Sequence, residues 1–357
     1  MAMRALVTFA FACTTVAVPA FTPTPAAERI VGVTYSTWFP SAVRFSSQGG
    51  CTWGEPALGA YESANRTVLR QHALWLRNAG VDFVLVDWSN DVPYEPACAP
   101  AQGLSRRDLA GLEAATVPLF EVFASVPGAP RVAILAGSPA NRTDYDQLPG
   151  GRLACKATQI YNRFVRNATV GGQYFRLDGK PLLVDYVGTP SMFRPPTWAH
   201  TPGPWADARF TTRHISGFVT SQAALVATDA EGHRVSTTGL WSWEDRGNSS
   251  FPVVGGHPEF QVITAAYRGD PCGWPCPENR AGRANGSTFL EKWRYARAIG
   301  PRVALVQSFN QWAGCARSPG ENQDVEFSTD IEPMAGGHGD AYLRMLGEQA
   351  RLFKAGH

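Results

Sequence analysis

The sequence of 357 residues contains no long run of Lys or Arg, and its formal net charge is only +2. Nucleic-acid-binding proteins usually carry a basic patch or stripe, so this charge balance gives no support for a nucleic-acid partner. No stretch after the N-terminal region reaches the length of a membrane span. We therefore expect a soluble mature protein with neither a nucleic acid nor a membrane as its partner.

Several motifs of other enzyme classes are also missing. No G-x-G-x-x-G follows the first predicted strand, and the chain has no G-x-S-x-G, H-E-x-x-H or P-loop sequence. These absences argue against a dinucleotide-binding fold, an α/β-hydrolase, a zinc protease and an NTPase. The seven His are scattered without a pair at zinc-ligand spacing, so we predict no metal and no cofactor.

The N-terminus reads as a signal peptide. Arg4 precedes an apolar run over residues 5–20, and Pro, Thr and Ala spacers follow. The run is too short for a confident membrane span, whereas a secretory signal has this order of segments. We predict a signal peptide over residues 1–27, with cleavage after Ala20 or near Ala27, and a secreted mature domain over residues 28–357.

Cysteines and sequons fit an extracellular location. Removal of the signal peptide takes Cys13 and leaves six cysteines, an even number that indicates disulfides in a secreted chain. The sequence cannot choose among the 15 possible pairings, although a local Cys272–Cys276 bridge and a Cys51–Cys98 bridge are our first expectations. Five N-x-S/T sequons predict a glycoprotein with these asparagines on its surface: Asn65, Asn141, Asn167, Asn248 and Asn285.

Short apolar runs alternate with amphipathic helical segments along the mature chain. Apolar strands interleaved with helices are typical of a parallel sheet covered on its outer face, and eight such units predict a single-domain (β/α)8 barrel. We expect it to be a monomer. The predicted strands are residues 29–36, 81–90, 130–137, 178–188, 213–221, 238–245, 260–267 and 302–309. The predicted helices are residues 65–80, 105–126, 153–166, 286–300 and 339–356.

Polar and aromatic residues collect at the predicted carboxyl ends of these strands, where barrel enzymes place their reactive groups. Sugar rings pack on aromatic faces, and their hydroxyls need planar donors and acceptors, so this composition favours a carbohydrate ligand. The candidate substrate-binding residues are Tyr35, Trp38, Trp88, Asn90, Asp185, Tyr186, Trp241, Trp243, Asn310, Gln311 and Trp312.

Acids are the second component of these strand ends. Hydrolysis of a glycosidic bond needs one protonated carboxyl group and a second carboxylate that acts as nucleophile or base. Asp87 and Glu244 follow the second and sixth predicted strands, and Asp245 follows Glu244. Glu326 and Glu332 belong to an acid-rich segment that comes after the eighth strand. Asp87, Glu244, Glu326 and Glu332 are therefore the candidate catalytic residues.

Three segments of the chain resemble glycoside hydrolase families 71 and 99. They are "AGVDFVLVDWSN" at residues 79–90, "DGKPLLVDY" at 178–186, and "SFNQW" at 308–312 followed by "DIEP" at 330–333. The resemblance implies a secreted (β/α)8 glycosidase that acts on an α-linked polysaccharide or glycan without a metal.

The chain departs from the family 99 pattern at its catalytic motif. In that family the catalytic pair are the two Glu of N-E-W-x-E, and the matching positions here are Gln311 and Gly314. Glu332 matches the Glu of the family's I-E-P segment, and Glu326 lies in an insertion before it. Two hypotheses stay open: a hydrolase with relocated acids, and a secreted carbohydrate-binding barrel without activity, because an amide cannot act as a general acid or base.

Overall fold

The computed structural model describes residues 20–40, 52–89, 110–137, 152–187, 206–217, 219–221, 225–245, 248–267, 280–312 and 324–357. Within these residues eight parallel strands form one sheet that curls into a nearly closed barrel, which confirms the predicted (β/α)8 architecture. Numbered along the chain, the barrel strands are β1 Ile30–Tyr35, β2 Phe83–Trp88, β3 Arg131–Gly137, β4 Lys180–Tyr186, β5 Thr211–Ser216, β6 Trp241–Ser242, β7 Phe260–Thr264 and β8 Val303–Gln307.

Five α-helices surround the sheet in the described part of the chain: α1 Arg66–Asn78, α2 Ala110–Ser125, α3 Arg152–Ile160, α4 Ser287–Ile299 and α5 Ala341–Ala355. Helix α1 starts where Asn65 caps it, since the Asn65 side chain accepts hydrogen bonds from the Thr67 and Val68 backbone N–H groups. None of the described helices is long and apolar enough to cross a membrane.

Neighbouring strands pair in the order β7-β8-β1-β2-β3-β4-β5-β6, and no backbone ladder joins β6 to β7 within the described residues. Side chains close this gap instead. Trp241 of β6 stacks on Phe260 of β7 with ring centroids 4.3 Å apart, and its Nε1 atom donates to a Glu259 carboxylate oxygen at 3.0 Å. Trp241, predicted to contact substrate, therefore forms part of the barrel wall.

The sixth strand shows the largest difference from the sequence prediction. It was predicted over residues 238–245, yet only Trp241–Ser242 is strand. Beyond Ser242 the chain bends, because the Asp245 side chain accepts a hydrogen bond at 3.1 Å from the Thr220 backbone N–H in the segment after β5. This bend places Trp243, Glu244 and Asp245 in a loop at the carboxyl end of the barrel.

The amino-terminal end of the barrel is filled by side chains. Phe83, the first residue of β2, stacks on Phe175 with ring centroids 4.2 Å apart. Nearby in the lumen, Arg213 of β5 binds Glu259, its Nε atom lying 2.8 Å from Glu259 Oε2. The carboxyl end is then the place for a ligand, as in other barrels of this type.

Candidate active site at the barrel mouth

Alternate residues of each barrel strand face either the lumen or the helices. This alternation decides which side chains reach the mouth, the opening of the barrel at the carboxyl ends of its strands. Phe83 and Leu85 of β2 belong to the cluster of buried hydrophobic side chains inside the barrel, here called the lumen cluster. Val84 and Val86 instead pack against the helices. Continuing the alternation to the strand ends sorts the predicted residues into two groups.

The first group faces the lumen. Asp87 continues the row of Phe83 and Leu85, and it pairs across the sheet with Leu135, a member of the lumen cluster. Tyr186 and Trp243 pack on the same cluster, with their ring centroids 5.8 Å apart in an edge-to-face arrangement. The mouth therefore combines an acid with a pair of aromatic rings.

The second group faces the helices. Trp88 Nε1 donates to the Thr116 hydroxyl of α2 at 3.0 Å. The Asp185 carboxylate lies 3.2 Å from His214 Nδ1, its neighbour across β4 and β5. The Tyr35 hydroxyl lies 2.7 Å from Nδ1 of His72, on α1. In this arrangement none of the three predicted substrate-binding side chains faces the mouth.

Asp87 is held at the mouth by local contacts. Its Oδ1 atom accepts a hydrogen bond from the Ser89 backbone N–H at 2.8 Å, and its backbone carbonyl accepts one from Trp38 Nε1 at 3.1 Å. The chain after β2 folds so closely over β3 that a Cβ atom on Gly137 would lie 2.1 Å from the Ser89 carbonyl oxygen. Gly137 thus leaves room for the loop that positions Asp87.

Glu244 and Asp245 are both buried at the end of β6. Desolvation raises the pKa of Asp245 from its ordinary value of 3.8 to about 6. Its Oδ2 atom is buried with no hydrogen-bond partner. The buried Lys292 of α4 donates to the Asp245 backbone carbonyl and, at 2.8 Å, to the Ser249 hydroxyl. Desolvation lowers the Lys292 pKa to about 8. The lysine therefore fixes the position of the acidic loop.

Glu332 lies away from the lumen in a fully buried network. Its two carboxylate oxygens accept hydrogen bonds from the Tyr61 hydroxyl at 2.8 Å, from Trp312 Nε1 and from His72 Nε2 at 3.0 Å. A carboxylate can only accept, so it keeps the proton on His72 Nε2 and leaves Nδ1 to accept from Tyr35. Burial and the Glu332 charge raise the pKa of both tyrosines, which keeps them as donors.

Asp330 is a buried acid that the sequence analysis did not single out. Its Oδ1 atom accepts from the Ser308 hydroxyl and, at 2.6 Å, from the Gln311 backbone N–H, while Oδ2 accepts from Trp53 Nε1 at 2.9 Å. Trp53 also stacks on Trp312 with ring centroids 4.5 Å apart. Asp330 and Glu332 together hold the segment that follows β8.

The predicted substrate-binding residues Asn310, Gln311 and Trp312 also help to hold the segment that follows β8 in place. Asn310 is buried, and its side chain binds the Ser36 backbone N–H at 2.7 Å and carbonyl at 3.0 Å, which ties the end of β8 to the end of β1. The Gln311 backbone carbonyl accepts from Trp53 Nε1 at 3.2 Å. Trp312 has no exposed surface.

Glu326, in contrast, is exposed. Its Oε1 atom accepts a hydrogen bond from the Ala284 backbone N–H at 2.8 Å, and its backbone carbonyl accepts from the Arg283 N–H at 2.8 Å. The residue thus attaches the segment after β8 to the turn that precedes α4.

Several predictions fall wholly or partly outside the described residues, including the signal peptide, of which residues 1–19 lie there. Asn90, Asn141 and all cysteines but one also lie outside the described residues, so neither proposed disulfide pairing is tested. Cys155 in α3 is disulfide-bonded. The remaining sequon asparagines, at positions 65, 167, 248 and 285, are exposed as predicted.

Among the described residues one group of side chains could hold a metal ion. The ligand atoms of Asp229, Glu231 and His233 lie within 4.8 Å of one another. They belong to the turn between two short antiparallel strands, Val226–Thr228 and Arg234–Ser236, and not to the barrel strands. The group is therefore separate from the site at the mouth.

No family model and no curated protein matches this sequence. Solved structures do match it. The chain aligns with two structures of the family 99 endo-α-mannosidase from Bacteroides thetaiotaomicron, both with a TM-score of 0.55, at 14% and 15% identity, over 91% of this chain and 98% of that one. A glycoside hydrolase-like protein aligns at 15% identity with a TM-score of 0.51, over 94% of this chain and 96% of that one.

The fold is that of the family 99 barrels. At this level of identity the likeness shows the fold alone, and it supports the family 99 part of the sequence resemblance without supporting family 71 specifically.

Proposed function

We propose that the protein is a secreted glycoside hydrolase that cleaves O-glycosidic bonds of a polysaccharide or glycan with two carboxyl groups. The observation that supports this proposal most is the composition of the mouth: the lumen-facing Asp87, the buried Glu244 and Asp245, and the aromatic pair of Tyr186 and Trp243. A sugar ring can pack on the aromatic pair while the acids act on its glycosidic bond.

The raised pKa of Asp245 suits the proton donor. A carboxyl group with a pKa of about 6 keeps its proton in mildly acidic solution and can transfer it to the departing sugar oxygen. We assign the complementary role, nucleophile or base, to Asp87 because its side chain faces the lumen. Glu244 is the alternative for either role.

The buried acids after β8 are assigned a structural role in this proposal. All three donors around Glu332 are protein side chains, and the carboxylate has no exposed surface. His72 belongs to α1 and also contacts the helix-facing Tyr35, so the Glu332 carboxylate is directed to the helix side of the sheet and away from the mouth. Asp330 and Glu332 instead fix Asn310, Gln311 and Trp312.

One observation favours the second candidate, a carbohydrate-binding barrel without activity. The position that matches the first catalytic Glu of family 99 is Gln311, and the Glu of the I-E-P segment is enclosed by three donors. Such a protein would keep the mouth and its aromatic pair as a sugar-binding groove.

Release of reducing ends from purified mature protein tests the proposal. The panel consists of α- and β-linked polysaccharides, beginning with yeast α-mannan because the similar structures are named endo-α-mannosidases. We expect release from at least one polymer and its loss in Asp87→Asn and Asp245→Asn, with folding and sugar binding retained. Binding without release from any polymer would support the inactive barrel, and neither binding nor release would refute both.

A further inference from the structure

Three lumen-facing side chains form a polar row at the carboxyl ends of adjacent strands. Thr264 of β7 pairs in register with Gln307 of β8, and the Thr34 hydroxyl of β1 donates to Gln307 Oε1. Each continues the lumen-facing alternation of its strand, which contains Val262 in β7, Leu305 in β8 and Ile30 in β1. The row lies where the apolar barrel core ends and the mouth begins.

Two polar atoms of this row are buried without a partner. Neither Gln307 Nε2 nor Thr264 Oγ1 makes a hydrogen bond, and both residues have no exposed surface. The Thr34 hydroxyl bonds one of the two polar atoms of the Gln307 amide. The second polar atom has no partner, and this remains true if the amide oxygen and nitrogen are exchanged. A buried polar atom left in this state costs about 1–3 kcal/mol, and a ligand in the lumen that bonds both neighbouring atoms would recover this cost.

We propose that Gln307 and Thr264 form the floor of the substrate site and hydrogen-bond one hydroxyl group of the bound sugar ring. This inference rests on the proposed carbohydrate-directed function and names the contact that the ring makes at its deepest point. The amide N–H donates, and the threonine hydroxyl both donates and accepts, which together match a sugar hydroxyl.

The charge around the row selects a neutral ligand. The row itself carries no charge, and the lumen-facing carboxylate of Asp87 lies at the end of β2, the strand beside β1. A carboxylate disfavours an anion near it, and an amide N–H does not bind a cation. A hydroxyl-bearing ring fits both conditions, and an ordered water molecule is the competing occupant.

The chain supplies a matched control on β7. Gln261 is as buried as Gln307, and neither end of its amide has a partner. However, Gln261 pairs with Ala304, a residue of the helix-facing layer, so its side chain points away from the lumen. Gln261→Met therefore removes an equally buried amide from the helix-facing side of the sheet, away from the proposed sugar contact.

The test compares wild type, Thr264→Val, Gln307→Met and Gln261→Met. Binding of yeast α-mannan, dextran, pullulan and laminarin fragments is measured by calorimetry, KM and kcat are measured on any polymer that is cleaved, and Tm is recorded for each variant. We expect Kd and KM to rise roughly 10-fold in Thr264→Val and Gln307→Met, the value of one lost hydrogen bond, with kcat within about twofold. Gln261→Met should keep the wild-type Kd and KM.

Two results would contradict the proposed hydrogen bonds from Gln307 and Thr264 to the sugar hydroxyl. If Thr264→Val and Gln307→Met keep the wild-type Kd and KM, the row holds only water, even though the proposed function stands. If the wild type neither binds nor cleaves any of the four carbohydrates, the proposed function and the floor fail together. Thr264→Val preserves side-chain shape, so it decides the matter even if Gln307→Met does not fold.

Discussion

The Glu332 carboxylate lies 3.0 Å from Nε2 of His72, and neither side chain has any exposed surface. The contact joins residues 260 positions apart in the chain. It connects helix α1 to the segment that follows β8. Under the proposed function we expect this carboxylate to contribute to the stability of the barrel.

The variant Glu332→Gln is expected to lower the free energy of unfolding by on the order of 3 kcal/mol. The new amide NH2 group is a donor and would face at least one of the three donors around this position. The negative charge that attracts these donors would also be lost. Urea unfolding measures the effect. The exposed Glu326→Gln is the control, with a change below about 0.5 kcal/mol. Equal stability of the two variants would contradict the structural role.

The raised pKa of Asp245 predicts a pH-dependent stability difference. The folded protein binds the Asp245 proton up to a pH of about 6, and the unfolded chain releases it near 3.8. The stabilisation from this proton is therefore complete below pH 3.8 and is lost as the pH rises to about 6.

Asp245→Asn removes this titration. Relative to wild type, its free energy of unfolding should increase between pH 4 and pH 6, by up to about 3 kcal/mol for two pKa units. Paired unfolding curves across that pH range measure the difference. A difference that stays constant with pH would mean that the carboxyl is already ionised in the folded protein at pH 4.

Gly137→Ala is expected to damage both stability and activity. The added Cβ would meet the Ser89 carbonyl oxygen at 2.1 Å, so the loop must move at a cost of about 1–3 kcal/mol. The same loop donates a hydrogen bond to Asp87, and its movement should lower kcat. Gly172→Ala, where nothing lies within 4 Å, is the control. A Gly137→Ala protein with wild-type Tm and kcat would contradict the close packing of the loop after β2 against Gly137.

Asn65 combines a helix cap with a predicted glycosylation site. Expressed in a eukaryotic secretory host, the protein should carry a glycan there, detectable by peptide mass spectrometry. Asn65→Asp and Asn65→Ala both remove the glycan, but only alanine removes the oxygen that accepts from Thr67 and Val68. Alanine should therefore be about 1 kcal/mol less stable than aspartate. Equal stability of the two variants would show that the cap is unimportant.

The fold could be predicted from the sequence because most barrel strands are largely apolar runs with a helix or a turn signal at their ends, although β5 is mostly polar and β6 has only two residues. The same continuity hides the direction of the side chains. In a strand buried on both faces, apolar residues do not alternate with polar ones, so nothing local distinguishes Asp87, which faces the lumen, from Asp185, which faces the helices.

The role of the acid-rich segment could not be predicted for a different reason. Three of the donors to Asp330 and Glu332 are Trp53, Tyr61 and His72, which lie more than 250 positions earlier in the chain. Only the folded barrel brings them together. The polar row of Thr34, Thr264 and Gln307 was missed because a single polar residue at a strand end carries no signal of its own.

The most direct test of the account is the kcat/KM of Asp87→Asn compared with that of Glu326→Gln, on the polysaccharide that the wild type cleaves fastest. The amide keeps the shape of the carboxylate but cannot act as nucleophile or base. We predict a loss of roughly 10²–10⁴-fold for Asp87→Asn and wild-type activity for Glu326→Gln. An active Asp87→Asn protein beside an inactive Glu326→Gln protein would move catalysis to the acid-rich segment and contradict the account.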